Sequence, residues 1–138
     1  SPMLKYLIAY LGAGLALAAL DAIYLMVAGQ RVYRPLLDYA LADKPNLWAA
    51  LAFYLVYVLG ILLLAVMPNR DAGLAKVALT GAILGAVAYA TYDLTNQATL
   101  KVWATRITLI DIGWGTFLTA IAAGAGLLAW RWASRTFR

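Results

Sequence analysis

The chain alternates long apolar runs with short polar segments, and this alternation is its strongest structural signal. Leu47 to Met67 is a run of 21 residues without a charged side chain. One α-helix needs about 20 apolar residues to cross the hydrocarbon core of a bilayer. Three further runs have similar length, and we predict transmembrane helices over residues 4–28, 47–67, 76–98 and 107–130.

The connections between these runs are short, which favours antiparallel neighbours. We therefore predict an all-α fold, an integral membrane four-helix up-down bundle that occupies residues 1–138 as a single transmembrane domain. In the first loop, Pro35 to Ala42 fits a short helix lying in the interface plane. It fits an irregular loop equally well, and both interpretations stay open.

Composition excludes several classes of chemistry. Hydrophobic residues make up 65% of the chain and the mean hydropathy is +0.81, whereas soluble domains are about 45–50% apolar. The chain has no cysteine and no histidine, so disulfides, thiolate nucleophiles and the usual zinc, haem and iron–sulfur ligands are absent. We predict no metal site and no cofactor.

The net charge of +5 comes from Lys and Arg near the predicted span ends. Such residues anchor helices and set topology, so the charge does not indicate nucleic-acid binding. The N-terminus, second loop and C-terminus carry six basic residues, and the other two loops carry five. The densest cluster, Arg131 to Arg138, predicts that both termini lie in the cytoplasm.

Three aspartates interrupt the apolar runs, and they lie at similar depth. Asp21 precedes the end of the first predicted span by seven residues, Asp93 precedes the end of the third by five, and Asp111 follows Arg106 by five. In an up-down bundle all three fall in the same half of the membrane, about 7–11 Å below the surface of the first and third loops. Each costs up to about 2.5–3.5 kcal/mol on insertion scales, so they should face one another or water.

Helical periodicity places aromatic and polar side chains on the same stripes as the aspartates. We interpret this layer as a polar pocket or half-channel that opens toward the first and third loops. In the alternative interpretation, the aspartates only hydrogen-bond the helices together. The predicted ligand-binding residues are Asp21, Tyr24, Tyr89, Tyr92, Asp93, Asn96, Thr108, Asp111 and Trp114.

Four segments, LDAIYL, LADKPNLWAALAFYLVYVLG, YATYDLTNQATL and LIDIGWGTF, read together, resemble those of a bacterial inner-membrane family, domain of unknown function 2177. The resemblance covers nearly the whole chain, and its distinctive segments contain Asp21, Asp93 and Asp111. It implies a small four-span protein of the bacterial inner membrane. It implies no established activity, and no catalytic residue is assigned.

Three functions remain open from the sequence. The first is binding or transport of a small or amphipathic, lipid-like molecule, with transport predicting a homodimer because four spans make a thin pore wall. The second is a structural or assembly subunit whose polar layer holds helices or a partner in register. The third is a membrane-embedded lipid-modifying enzyme, which the lack of a recognised nucleophile or metal motif disfavours.

Overall fold

Four long helices and no strand form the fold in a computed structural model that describes residues 1–138. They are α1 (Pro2–Leu37), α2 (Leu47–Asn69), α3 (Leu74–Thr99) and α4 (Thr105–Thr136). Each is long and apolar enough to cross a membrane, and each contains one of the predicted spans. The predicted all-α, four-helix membrane fold is confirmed.

Helix α1 extends well past the predicted end of the first span. Its regular part, Pro2–Ala28, continues through a π-helical turn, Gly29–Tyr33, into a last α-helical turn, Arg34–Leu37. Pro35 has no N–H with which to continue a regular hydrogen-bond ladder, and the wider turn falls immediately before it. The segment Pro35 to Ala42 is therefore neither a separate helix nor wholly irregular, because its first three residues complete α1 and the rest form a turn and coil.

Helix α4 is the centre of the bundle and packs along both α1 and α3. Glycines allow the closest approach, because a Cβ on Gly85 of α3 would lie 2.3 Å from the backbone oxygen of Gly115 on α4. Small residues thus allow close contact between these two helices. It brings Asp93 and Asp111 onto facing surfaces.

Helix α2 packs against its neighbours unevenly. It contacts α1, but its contacts with α3 are made chiefly by the turn Leu62–Val66, toward the second loop. Nearer the first and third loops, α2 and α3 separate. A cleft opens between them in the half of the bundle that holds the aspartates.

Candidate functional site

The cleft between α2 and α3 has a volume of about 320 Å³. Its walls are mainly aromatic, and a carboxyl group from α4 lies at its inner end. Phe53 and Tyr92, one on each side, are 45% and 59% exposed, and because the opening lies between two spans it faces the hydrocarbon of the bilayer. The lining residues are Phe53, Tyr57, Ala88, Tyr89, Tyr92 and Asp111.

Packing fixes the aromatic walls. The Tyr89 ring lies against the Cα of Gly115, where an added Cβ would come within 2.2 Å of a ring carbon. The Tyr57 hydroxyl is hydrogen-bonded to Oγ1 of Thr119 at 2.7 Å, and its ring stacks on that of Phe53 with centroids 5.3 Å apart. Because the Tyr57 hydroxyl is satisfied on α4, this side chain offers the cleft mainly its apolar ring.

Asp111 is held by tyrosines of α1. The Tyr33 hydroxyl donates to Oδ1 of Asp111 at 2.7 Å, and the hydroxyls of Tyr24 and Tyr33 are themselves 2.7 Å apart and hydrogen-bonded. This chain of three groups leads from the end of α1 to the inner end of the cleft. The hydrogen bond to Oδ1 orients the Asp111 carboxyl, and no tyrosine hydroxyl bonds to Oδ2.

Asp93 is fully buried, and neither of its carboxyl oxygens has a hydrogen-bond partner. It faces Asp111 across the contact between α3 and α4. Two ionised carboxylates can only accept hydrogen bonds, so they cannot satisfy each other. A proton on either carboxyl would make that group a donor to the other.

Asp21 belongs to a separate arrangement. It accepts a hydrogen bond from the Tyr54 hydroxyl of α2 and another, 3.1 Å long, from Nε1 of Trp114 on α4. The Trp114 ring stacks on Tyr24 with centroids 4.0 Å apart and an interplanar angle of 5°. Asp21 thus joins three helices with both oxygens satisfied. No three acidic groups in the chain approach closely enough to hold a metal ion together.

The predicted ligand-binding residues fall into two groups. Six lie around the aspartates or in the inner wall of the cleft, and Tyr92 lies at the mouth of the cleft. Thr108 instead donates to Gln97 and accepts from Trp103 toward the third loop, and Asn96 is partly buried outside these hydrogen bonds. The six are Asp21, Tyr24, Tyr89, Asp93, Asp111 and Trp114.

Besides Ala88 of the cleft wall, four aromatic residues of the site were absent from the prediction. Phe53, Tyr54 and Tyr57 form an aromatic stripe on α2 at helical spacing, but the prediction followed the helices that carry an aspartate, and α2 carries none. Tyr33 lies in what was expected to be the first loop. No periodic pattern marks it, because the π-helical turn changes the helical phase before it.

No basic side chain neutralises the carboxyl layer. The only ion pair within 4.0 Å in the chain joins Arg34 to Asp38, 3.0 Å apart and on the exposed end of α1. The hydrogen bonds to Asp21 and Asp111 all come from neutral donors, tyrosine hydroxyls and an indole N–H. No cationic side chain of the protein therefore contacts Asp21 or Asp111.

The family DUF2177, described as a predicted membrane protein, matches residues 6–128. No curated protein and no solved structure matches the chain.

Proposed function

The chain belongs to the DUF2177 family of predicted membrane proteins, and from the geometry of its cleft we propose that it binds a small amphipathic molecule. The molecule enters sideways from the bilayer, between α2 and α3. The observation that carries this proposal is an aromatic cleft that opens toward hydrocarbon and ends at the Asp111 carboxyl. Its volume of about 320 Å³ is near the lower limit for small-molecule sites, about 300 Å³.

The polarity of the cleft indicates the chemistry of the ligand. An apolar tail would lie between the rings of α2 and α3, where its contacts replace those with lipid. Its head would carry a positive charge or hydrogen-bond donors, because the carboxyl of Asp111 accepts and has no cationic partner in the chain. The faces of Tyr57 and Tyr89 beside that carboxyl would attract a cation further.

Transport is a second step beyond binding, and the carboxyl pair supports it. A ligand cation arriving at Asp111 could replace the proton shared with Asp93, so that ligand and proton movement become coupled. Four helices enclose little space, and transport therefore predicts a homodimer. Chemical crosslinking in the native membrane would detect that dimer, and a monomer there would limit the protein to binding.

A specific observation favours a second candidate, the role of a structural or assembly subunit. Asp21 has both oxygens satisfied by donors from α2 and α4, so this aspartate serves the packing of the bundle. A purely structural role for the whole layer predicts that Asp93 also accepts from hydroxyl or N–H donors on other helices, and no such donor reaches either of its oxygens.

We place the protein in the bacterial inner membrane with both termini in the cytoplasm. The basic cluster Arg131 to Arg138 supports this orientation through the preference of Lys and Arg for the cytoplasmic side. The cleft then opens in the periplasmic half of the bilayer.

Isothermal titration calorimetry tests the proposed binding directly. The purified protein, in nanodiscs of zwitterionic lipid, is titrated with dodecyltrimethylammonium, and dodecyl alcohol and dodecyl sulfate serve as neutral and anionic analogues. We expect saturable binding of the cation, at least about tenfold weaker in Asp111→Asn because a charge-assisted contact is lost. Asp38→Asn removes one negative charge at the same end of the bundle, outside the cleft, and should bind like the native protein. Binding equal in both variants, or partition without saturation, would refute the proposal.

A further inference from the structure

A second recess lies at the opposite end of the bundle, where the second loop meets the last turns of α4. Its volume is about 360 Å³, and its lining is mainly polar, unlike that of the cleft. None of its residues takes part in the proposed function above. They are Arg70, Asp71, Trp130, Arg131, Ser134 and Arg135.

Positive charge dominates this recess. Three guanidinium groups and one carboxylate line it, which gives a formal charge of +2. Because the only ion pair within 4.0 Å in the chain is Arg34 with Asp38, none of the three arginines is neutralised by a carboxylate at that distance. The Ser134 hydroxyl adds a neutral hydrogen-bond donor between Arg131 and Arg135.

The recess is assembled from two distant parts of the chain and is held in place by packing. The guanidinium of Arg70 lies 5.8 Å from the centroid of the Trp130 ring and donates to the backbone oxygen of Met67 at 2.6 Å. Trp130 in turn packs against Tyr6 of α1, with ring centroids 5.1 Å apart. Arg131 and Arg135 are four residues apart on α4, so they share one face of that helix.

The depth of the recess in the membrane indicates which kind of molecule it binds. Arg70 directly follows the last turn of α2, and Trp130 and Tyr6 form the kind of aromatic pair that lies at the headgroup region. A guanidinium presents a planar fork of donors that matches the oxygens of a phosphate. We propose that this recess binds the phosphate of an anionic phospholipid in the leaflet that contains the two termini.

Native mass spectrometry of the detergent-purified full chain, with phosphatidylglycerol added, tests this proposal. We expect one phosphatidylglycerol to be retained per chain, in preference to phosphatidylcholine. The double variant Arg131→Gln with Arg135→Gln should weaken this binding at least about tenfold, through the loss of charge-assisted contacts. Lys76→Gln with Arg138→Gln is the matched control, because it removes the same charge from the same membrane face but outside the recess. It should bind as the native protein does.

Two results would overturn the proposal. Equal weakening in the control pair would mean that general electrostatic attraction, and no defined site, holds the lipid. Displacement of the lipid by millimolar inorganic phosphate would mean that the recess takes free phosphate and not a membrane headgroup.

If the double variant yields little folded protein, Arg135→Gln alone tests the same contact, because Arg135 is exposed and its loss should leave the bundle intact. Since the cleft lies at the other end of the bundle, dodecyltrimethylammonium binding should be unchanged in all of these variants.

Discussion

The hydroxyl of Tyr33 donates a hydrogen bond of 2.7 Å to Asp111, across 78 positions of sequence. This contact joins the extension of α1 to the inner end of the cleft between α2 and α3. It also makes the far end of α1, beyond its π-helical turn, part of the candidate site. The position of the Asp111 carboxyl therefore depends on a residue outside the predicted spans.

Removal of the Tyr33 hydroxyl should loosen this end of the bundle. We expect Tyr33→Phe to lower the free energy of unfolding by about 1–2 kcal/mol, because Asp111 loses its donor in a partly buried position. Thermal unfolding in detergent, followed by circular dichroism, measures the change. Tyr6→Phe removes a hydroxyl from the other end of α1, where the ring packs on Trp130, and should change stability little. Equal losses in the two variants would contradict a specific role for the Tyr33 bond.

Asp93→Asn should leave stability unchanged or increase it. The native carboxyl is buried without a partner, and an amide N–H₂ in its place could donate to the facing carboxyl of Asp111. Thermal unfolding again provides the measurement, with Asp21→Asn as the comparison. That variant should be destabilised, because it weakens two hydrogen bonds that join three helices. A loss of more than about 2 kcal/mol in Asp93→Asn would show that this carboxyl has a stabilising partner.

Two glycines on α4 offer a matched test of the contact with α3. A Cβ on Gly115 would lie 2.2 Å from the Tyr89 ring, whereas one on Gly113 would meet nothing within 4 Å. We expect Gly115→Ala to cost about 1–3 kcal/mol through overpacking and to displace Tyr89 into the cleft. Gly113→Ala should be neutral or slightly stabilising, because alanine favours helix over glycine. Urea or thermal unfolding of both variants decides the point, and a neutral Gly115→Ala would contradict the packing described.

The absence of cysteine makes the proposed orientation simple to test. Single cysteines at Asp38→Cys and Arg138→Cys lie at exposed positions on opposite ends of the bundle. With both termini in the cytoplasm, a membrane-impermeant maleimide applied to intact cells after outer-membrane permeabilisation should label position 38 and not position 138. The opposite pattern would reverse the topology, and with it the leaflet into which the cleft opens.

Sequence reasoning was effective for features set by distance along a helix. The apolar runs gave four spans, and counting residues from the span ends gave the similar depth of Asp21, Asp93 and Asp111. Both rest on the constant rise of a regular α-helix, and the helices are regular around all three aspartates.

Contacts between side chains of different helices could not be predicted from positions along the sequence. The three aspartates were expected to form one layer, but Asp21 pairs with Tyr54 and Trp114 while the other two face each other. That division follows from the position of α4, which packs along both α1 and α3, so that Asp21 of α1 and Asp93 of α3 meet different parts of its surface. Tyr33 was missed because the predicted span ends at residue 28. A regular helix continued to Tyr33 would place it about 180° around the axis from Tyr24, and the π-helical turn Gly29–Tyr33 changes that angle.

The uneven packing of α2 has a consequence for the membrane itself. Because α2 and α3 pack together chiefly toward one end, acyl chains of the surrounding leaflet would complete the outer wall of the cleft in the absence of a ligand. If the proposed ligand binds there, it would displace those chains, and its affinity would include the free energy of returning them from the protein surface to the bilayer. The unsaturation of the lipids and the lateral pressure of the bilayer would then change the fraction of clefts that hold a ligand, without any change in the residues of the protein.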